Sequence, residues 1–557
     1  MRGMGKEEGV LRWQQEYQDT LVQRPERRKD FRTRSGIPVK PIYTSTDTEG
    51  MDEARDLGLP CDYPFTRGPY PSMYRGQLWT KRLLIGLQIP EIFNERQREM
   101  LSQGQTGINL IPCNAYFRGF DSDEVEPELV GRCGTAIDSM YDIEACFDSI
   151  PLEQVSTAFN DAGPFIMVAM YVALAQKRGV PLNQLRGTTN QTDFLSHYVA
   201  CNMMFRFGLE GHLRMLMDHI QFCTRHMPRW QPMSIVGQHM QQGGATSLQA
   251  LAFTLASGVF YVDQTMKRGL DVDTFAPRFS FFFDVSLDFF EEVAKFRAAR
   301  RVWARIMRER FGAKDERSWK LRFHAQTSGT DLTHQQPLNN LIRTTVQTLA
   351  AVLGGAQSIH TDSYDEALWT PSEKARRLAL MTSHILGEET GVADVIDPLG
   401  GSFYVESLTN ELEKRTWEYI EQIDNLGGMM EAVKKGFIQA EMNKSALDYQ
   451  QEVDSGERTV VGVNSYYLPE FEDMAPEQEK VPPEMVTHHV ERTRRLKVER
   501  DQARARAAID HLKHATEDES LNIFEAVIEA VKVGVTQGEI VRELRAACGT
   551  GVPLSTV

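Results

Sequence analysis

The sequence lacks two features that would place it in common protein classes. Its seven cysteines, among 557 residues, stand at positions 61, 113, 133, 146, 201, 223 and 548 and form no Cys-x-x-Cys pair. Such scattered cysteines argue against a disulfide framework or a structural zinc site and favour a reducing compartment. No stretch of about 18 uncharged apolar residues occurs, so we expect no transmembrane helix and no membrane partner.

The sequence also lacks an excess of positive charge. Lys and Arg number 62 against 77 Asp and Glu, which gives a formal net charge of -15. This balance excludes a broad nucleic-acid-binding surface, while a local basic groove for a phosphorylated ligand remains compatible with it. The first eight residues, Met-Arg-Gly-Met-Gly-Lys-Glu-Glu, have no apolar core typical of a secretory signal. We therefore expect a cytoplasmic protein.

Strand and helix patterns alternate in the central part of the chain, from about residue 90 to residue 405. The candidate strands cover residues 106–112, 155–160, 186–190, 234–238, 279–284, 321–326, 357–361 and 393–396. Long amphipathic segments between them predict helices, and this alternation is typical of a parallel α/β sheet. About eight units predict a (β/α)8 TIM barrel. A doubly wound open sheet is the alternative, but no Gly-x-Gly-x-x-Gly turn opens a helix after a first strand.

The segments on either side of this region differ from it in composition. Residues 1–58 are polar and charged with little periodicity, whereas the chain after residue 406 reads as mostly helical. We divide the chain into an N-terminal arm at 1–58 that contacts a partner or a second copy, a barrel at 59–405, a helical region at 406–467 that closes the barrel, a linker at 468–484, and a C-terminal helical extension at 485–557.

The C-terminal extension is too small to bury a core of its own. A charged helix is predicted from about residue 485 to 515, and an apolar stripe follows at Leu521, Phe524, Val527, Ile528 and Val531. Thr536 and Glu539 have the spacing of a capping box for one more short helix. We expect this tail to dock on a partner or on its own barrel.

Several predicted strands end in unusual polar groups. One continues into Gln238-His-Met-Gln-Gln242, another reads His324-Ala-Gln-Thr-Ser-Gly329, and a third reads Gln357-Ser-Ile-His360. A lone histidine beside an apolar strand is more often a hydrogen-bonded structural residue than a catalytic one. Because catalysis in such barrels takes place at the carboxyl ends of the strands, three such ends together favour a functional site.

These strings, with several others, resemble the methylmalonyl-CoA mutase family. The best-matched ones are Pro69-Tyr-Pro-Ser-Met-Tyr74, Gly119-Phe-Asp-Ser-Asp123, Phe275-Ala-Pro-Arg-Phe-Ser-Phe-Phe282, Glu292-Val-Ala-Lys-Phe-Arg-Ala-Ala-Arg300, His324-Ala-Gln-Thr-Ser-Gly329 and Val395-Ile-Asp-Pro-Leu-Gly-Gly-Ser402. The resemblance covers residues 59–465, and the tail is similar to large subunits of two-subunit members. It implies that coenzyme A threads along the barrel axis and that adenosylcobalamin caps the barrel mouth and supplies a radical.

The resemblance also implies roles for individual residues. His239 matches the residue that donates a hydrogen bond to the thioester carbonyl, and Gln238 stands beside it at a catalytic position. The positions that match coenzyme A and acyl contacts are Tyr70, Ser72, Met73, Thr80, Arg82, Leu84, Ile111, Gln191, Cys201, Gln231, Arg278, Ser280, His324, Gln326 and Gln357. Those that match the corrin and adenosyl face are Phe117, Gln242, Gln326, Gly329, Glu366 and Ala367. Arg82 and Arg278 suit phosphate oxygens, since guanidinium groups pair well with them; the alternative is a solvated surface charge.

Departures from the family pattern bear on the substrate. Leu84 and Cys201 stand where methylmalonyl-CoA mutase has a Tyr and an Arg for the free carboxylate, and Ile111 stands where a 2-hydroxyisobutyryl-CoA mutase has an Asp. We therefore expect an apolar pocket for an uncharged branched acyl group, because burying an unpaired carboxylate is costly. Two further departures are Gln238, which replaces the family's Tyr, and Gln242, which replaces a Glu.

The cobalt-ligating motif of this family, Asp-x-His-x-x-Gly, does not occur in the sequence. Thr382-Ser-His-Ile-Leu-Gly387 comes nearest but lacks the Asp and lies in a helical pattern. We therefore expect no metal ligand in this chain and a small cobalamin-binding subunit as partner, in an α2β2 assembly that a GTPase-type chaperone could serve. Mutase activity on a hydroxylated or dicarboxylic acyl-CoA, and a non-catalytic mutase-like scaffold, remain the alternatives.

Overall fold

The computed structural model describes residues 6–83, 88–201, 207–468 and 481–551. Its strands are β1 Thr80–Lys81, β2 Gly107–Leu110, β3 Ser156–Asn160, β4 Arg186–Asn190, β5 Trp230–Gln231, β6 Met233–Val236, β7 Phe279–Val285, β8 Phe323–Thr327 and β9 Ser358–His360. Every ladder between these strands is parallel. The α/β class predicted from the alternation of strands and helices is confirmed.

The strands follow a cyclic order, as a barrel requires. One sheet has the order β2-β3-β4-β5 and the other β1-β9-β8-β7-β6. β5 and β6 are parts of one extended stretch divided by Pro232, which has no N–H to donate to a ladder. On the opposite side, Thr106 N donates to Lys81 O at 3.1 Å and joins β1 to β2. If β5 and β6 are counted as one strand, the strands number eight, as in a (β/α)8 barrel.

Seven of the eight predicted strands are confirmed, each within two residues at its ends. The prediction at residues 393–396 is wrong, because this segment forms turns. Its place in the barrel belongs to β1, whose two residues Thr80 and Lys81 are too few and too polar to give a strand pattern. The predicted strand at 234–238 ends at Val236, and Gln238 already begins a helix.

Helices surround and follow the barrel. Those up to the end of the barrel are α1 Lys6–Gln23, α2 Met73–Gly76, α3 Pro90–Ser102, α4 Asn114–Arg118, α5 Met140–Cys146, α6 Ile166–Lys177, α7 Phe194–Ala200, α8 Leu209–His226, α9 Gln238–Gln242, α10 Ser247–Lys267, α11 Val272–Phe275, α12 Phe289–Arg305, α13 Glu316–Trp319, α14 Asn339–Leu353 and α15 Glu373–Glu388. The later ones are α16 Phe403–Asn425, α17 Met429–Lys434, α18 Phe437–Asp454, α19 Pro483–Glu499, α20 Gln502–Glu517, α21 Ile523–Lys532 and α22 Gln537–Cys548. No helix in the described ranges combines the length and apolarity needed to cross a bilayer.

Part of the segment before the barrel packs on the barrel's own helices. Thr33 Oγ1 donates to Glu291 Oε1 at 2.8 Å, and Arg34 N donates to Asp288 Oδ2 at 2.7 Å, at the start of α12. Ile37 lies in the main hydrophobic core. By contrast, α1 exposes Leu11 and Val22, which leaves an apolar surface on this helix. The arm therefore has one segment attached to the barrel and one that points its side chains to solvent.

The C-terminal tail lies against the barrel helices. α21 packs on α6 and α8, and the ring of Phe524 lies 4.5 Å from that of His219. The capping box is confirmed, since Glu539 Oε2 accepts from Thr536 N at 3.0 Å. The single charged helix predicted at 485–515 is instead two helices, α19 and α20. The chain breaks between them because the Asp501 side chain caps α20 by accepting from Arg504 N. Most of the predicted linker at 468–484 lies outside the described residues.

Candidate active site

A cavity of about 180 Å³ runs through the interior of the barrel. Six side chains predicted for coenzyme A line it: Thr80, Arg82, Gln231, Ser280, His324 and Gln357. They come from β1, β5, β7, β8 and the start of β9, so residues far apart in the chain meet because alternate strand residues point inward. The barrel is therefore partly hollow and lined by polar groups, which suits an extended polar ligand.

Arg82 is the buried cation of this cavity, with 8 % of its surface exposed. Its Nη2 donates to Ser156 Oγ at 2.8 Å, while its buried Nε finds no hydrogen-bond partner in the structure. Burial lowers the pKa of Arg82 to about 10, so the group stays charged at neutral pH. An unpaired buried donor is costly, and this one indicates a ligand that brings an acceptor into the barrel.

Positive charge gathers around Arg278. Burial lowers the pKa of Arg278, and the nearby cations Arg322, Arg317 and Arg229 lower it further. Arg322 also lines the cavity and donates to Pro277 O. A set of guanidinium groups that repel one another is stabilised by a polyanion, such as the phosphates of coenzyme A.

The remaining predicted coenzyme A positions lie apart from the cavity lining. Tyr70 and Ser72 are exposed in the loop before β1, whereas Met73 is buried. Two of the lining residues, by contrast, are held by backbone groups: Gln357 Oε1 accepts from Phe323 N at 2.9 Å, and Ser280 Oγ donates to Met233 O at 3.0 Å. The loop residues can contact a ligand only where it emerges from the barrel.

His239 lies in α9, directly after β6. Its Nδ1 is 3.1 Å from Ser196 Oγ, and its ring centroid is 4.9 Å from that of His197 in α7. Burial lowers the pKa of His239 to about 4, so the imidazole is neutral at physiological pH. A neutral imidazole can act as a hydrogen-bond donor to a carbonyl without placing a charge in the pocket.

The predicted acyl-pocket residues lie in different surroundings. Gln191 Oε1 is 2.9 Å from Nε2 of His197, so Gln191 belongs to the same group as His239. Cys201 is half-buried directly after α7, and Ile111 is half-buried against the hydrophobic core after β2. Gln238 is buried beside His239. Leu84 lies outside the described residues.

Two groups of site residues were missed from the sequence. Asp193 caps α7 and accepts from Tyr261 Oη at 2.6 Å and from Val236 N at 3.0 Å, which joins α7, α10 and β6. A row of side chains also crosses the barrel interior through hydrogen bonds, namely Asn109, Asn160, Asn190 and Ser234. The polar residues directly after the strand at 186–190 could have identified Asp193 as a site residue. A single Asn in a strand has no pattern that would have identified it.

The residues predicted for the corrin and adenosyl face occupy the carboxyl ends of β6 to β9. Gln242 Nε2 donates to Asp284 Oδ1 at 2.9 Å, and Gln326 Nε2 lies 3.3 Å from Asp362 Oδ1. The other carboxylate oxygen of Asp362 is buried without a partner and faces Gly329, where an added Cβ would still be 3.9 Å away. An unused acceptor beside open space fits a ligand rich in amides and hydroxyls.

The other three predicted cofactor positions differ in exposure. Glu366 is exposed and Ala367 is half-buried in the loop after β9, so both can face a ligand on this side of the barrel. Phe117 is 1 % exposed in α4, with its ring centroid 6.2 Å from that of Tyr116. Phe117 therefore presents almost no surface in this structure.

Comparison with known proteins finds related sequences over nearly the whole chain. The family model described as methylmalonyl-CoA mutase matches residues 32–550. The chain is 43% identical to the 2-hydroxyisobutanoyl-CoA mutase large subunit of Aquincola tertiaricarbonis. The match extends over 532 residues, which are 95% of this chain and 94% of that protein.

Two methylmalonyl-CoA mutases are also similar. The chain is 40% identical to the methylmalonyl-CoA mutase of Rhizobium meliloti, and the match covers 94% of this chain and 73% of the relative. It is 38% identical to the methylmalonyl-CoA mutase of Escherichia coli, and that match covers 98% of this chain and 77% of the relative. The family resemblance seen in the sequence is thus confirmed over nearly its whole length. The chain belongs to the methylmalonyl-CoA mutase family, the adenosylcobalamin-dependent isomerases that rearrange the carbon skeletons of acyl-CoA substrates.

Proposed function

We propose that this chain is the large catalytic subunit of a two-subunit mutase and that it acts on an uncharged, branched acyl-CoA. The observation that carries the proposal is the arrangement along one barrel: a polar cavity with an unpaired arginine donor, and a neutral histidine at the carboxyl end of β6. This order matches the order of groups in an acyl-CoA, with its phosphates at one end and its thioester at the other.

Coenzyme A would lie along the interior cavity. The cluster around Arg278 would meet its phosphates outside the barrel, and Arg82 would supply its unused Nε–H to an acceptor on the ligand. His324 and Gln357 line the same cavity and add polar contacts for the pantetheine chain. These contacts bind substrate and transition state alike, so they set affinity rather than rate.

His239 would hold the thioester carbonyl. A hydrogen bond from its ring fixes the acyl group while one substituent migrates to the neighbouring carbon, and it stabilises negative charge on the oxygen. Because the ring is neutral, it makes this contact without placing a charge in the pocket.

Adenosylcobalamin would rest on the carboxyl ends of β6 to β9, where Gln242, Gln326, Gly329, Glu366 and Ala367 lie. When bound, it supplies the radical that removes a hydrogen atom from the acyl group. The unpaired Asp362 Oδ2 would accept from one of its amides or hydroxyls. The chain's own part is to orient the two ligands and to shield the space between them.

The proposal for an uncharged substrate rests on Ile111 and Cys201. Neither side chain can pair with a carboxylate, and His239 is neutral at physiological pH. The similarity to a 2-hydroxyisobutanoyl-CoA mutase large subunit favours a second candidate, a hydroxylated branched acyl group. The presence of Ile111 favours the unsubstituted group, since it offers no acceptor for a hydroxyl.

The expected partner is a small subunit that carries the cobalt ligand. A relative that is itself named a large subunit supports this, and so does the missing Asp-x-His-x-x-Gly motif. The α2β2 stoichiometry and a GTPase-type chaperone belong to the same proposal. A non-catalytic scaffold is disfavoured because His239, Gln326 and Glu366 are retained.

The test compares kcat/KM of the reconstituted complex for isobutyryl-, pivalyl-, 2-hydroxyisobutyryl- and methylmalonyl-CoA. An unpaired carboxylate costs on the order of 3 kcal/mol, so methylmalonyl-CoA should be the poorest of the four by about 100-fold. Ile111→Asp should raise the preference for the hydroxylated substrate, whereas the neutral control Ile111→Asn should raise it less. If methylmalonyl-CoA is the best substrate, the pocket holds a cation, and Arg206, outside the described residues, is the first to replace.

A further inference from the structure

Ser196 Oγ lies within hydrogen-bond distance of two groups, and it has only one hydrogen to donate. It is 2.8 Å from the backbone oxygen of Asp193 and 3.1 Å from Nδ1 of His239. The carbonyl of Asp193 can only accept, and at the shorter of the two distances it accepts from Ser196 Oγ. The hydroxyl then has only lone pairs left for the ring, and Nδ1 of His239 must carry the hydrogen.

A hydrogen on Nδ1 determines whether the other ring nitrogen of His239, Nε2, donates or accepts. Burial keeps His239 neutral, with a pKa of about 4, so the ring has one N–H at physiological pH. If that hydrogen is on Nδ1, Nε2 is an acceptor. Nε2 makes no hydrogen bond to any described residue. A thioester oxygen also only accepts, so it cannot bind to the ring in this state.

We propose that Ser196 is a positioning residue whose hydroxyl sets the tautomer of His239, and that it must turn from Asp193 O to Nδ1 before the ring can donate to a thioester. The exchange moves one proton from Nδ1 to solvent and one from solvent to Nε2, so the charge of the ring is unchanged. The proposal deepens the one above, since it rests on the role of His239 as the thioester donor.

The surroundings hold Ser196 and His239 in a fixed relation. Asp193 Oδ1 accepts from Ser196 N at 3.2 Å, and its Oδ2 accepts from Val236 N at 3.0 Å, at the end of β6. α9, which carries His239, begins two residues later at Gln238. The same buried carboxylate thus anchors both the start of α7 and the strand that leads to His239.

A matched pair of variants isolates this hydroxyl. Ser196→Thr and Ser196→Val add the same bulk to α7, and they differ only in whether a hydroxyl remains. In the reconstituted complex we expect turnover of isobutyryl-CoA to be about 10²-fold lower in the Val variant than in the Thr variant, with KM within a few-fold. A structural role alone would affect both variants equally.

The tautomer of His239 can be measured by NMR, without an assay of turnover. The full-length chain is labelled with 15N-histidine, and the His239 signals are assigned by their loss in His239→Gln. We expect Nδ1–H in the free chain, a shift to Nε2–H on adding isobutyryl-CoA, and a mixture of tautomers in Ser196→Val. Nε2–H in the free wild-type chain, or equal spectra of the Thr and Val variants, would overturn the proposal. If the spectra behave as expected but isobutyryl-CoA is not turned over, only the substrate assignment fails.

Discussion

Nε2 of His489 lies 3.1 Å from Oδ2 of Asp138, which ties α19 of the C-terminal tail to the barrel. Nδ1 of the same ring is 3.8 Å from Asp142 Oδ1, and both carboxylates are buried. Arg492 Nη2 donates to Asp142 Oδ1 at 2.6 Å and lies 2.9 Å from Nδ1 of His489. His489 and Arg492 therefore pair with the buried Asp138 and Asp142, and this ion-pair network holds the tail in place.

The attachment of the tail should depend on pH. Burial lowers the pKa of His489, but the carboxylates of Asp142 and Asp138 outweigh burial and raise it above the usual value of 6.5. A raised pKa means that the stabilisation is fully present below pH 6.5 and is lost as pH rises through the folded-state pKa. We expect the backbone amides of α19 to exchange faster at pH 9 than at pH 6, after correction for the intrinsic rate.

Hydrogen exchange with mass spectrometry reads this effect peptide by peptide. His489→Gln keeps hydrogen-bonding capacity but cannot become charged, so it should remove the pH dependence. The exposed His488→Gln is the matched control and should leave it unchanged. A pH dependence of α19 that survives in His489→Gln would assign it to other groups.

His239→Ala should abolish most of the turnover and spare binding. Loss of one donor to a developing oxyanion lowers kcat by about 10²–10³-fold. The dissociation constant of coenzyme A, measured by calorimetry, should stay within a few-fold, because the cavity around Arg82 is untouched. His239→Gln keeps an N–H donor and should retain more activity than His239→Ala. A near-wild-type rate in a folded His239→Ala variant would make the residue structural.

Arg82→Met should weaken coenzyme A binding without destabilising the free chain. A hydrogen bond to a charged group contributes about 1.5–3 kcal/mol, or roughly 10- to 100-fold in the dissociation constant. The buried guanidinium carries a desolvation cost, so its apolar replacement should leave the Tm of the free chain unchanged or higher. The exposed Arg494→Met in the tail is the control. A lower Tm with unchanged affinity would show that Arg82 serves the fold.

The chain alone should bind adenosylcobalamin weakly and show no mutase turnover. The corrin face has amides and carboxylates but no Asp-x-His-x-x-Gly cobalt ligand in the sequence. Adding the small subunit should restore both binding and turnover, measured by the absorbance of the cofactor and by product formation. If the isolated chain binds adenosylcobalamin tightly and stoichiometrically and is active, the expectation that a small subunit supplies the cobalt ligand is contradicted.

Much of the fold could be read from the sequence because short strand patterns alternate with long helical ones along the chain. The clearest run is β7, Phe279–Val285, in which every residue is buried. β1 could not be found, because its two residues owe their strand conformation to pairing with β9 and to the bond from Thr106 to Lys81. The missing pattern led to a wrong eighth strand at 393–396.

The sequence by itself determined the family, the polar strand ends and the list of candidate residues, because ordered motifs and strand patterns are local properties of the chain. Only the tertiary structure decided which of these residues meet. It brought Arg82, His324 and Gln357 into one cavity, and it placed Ser196 between Asp193 and His239. Hydrogen-bond partners that lie up to 43 residues apart depend on the packing of α7 against β6 and α9, and no local pattern contains that information.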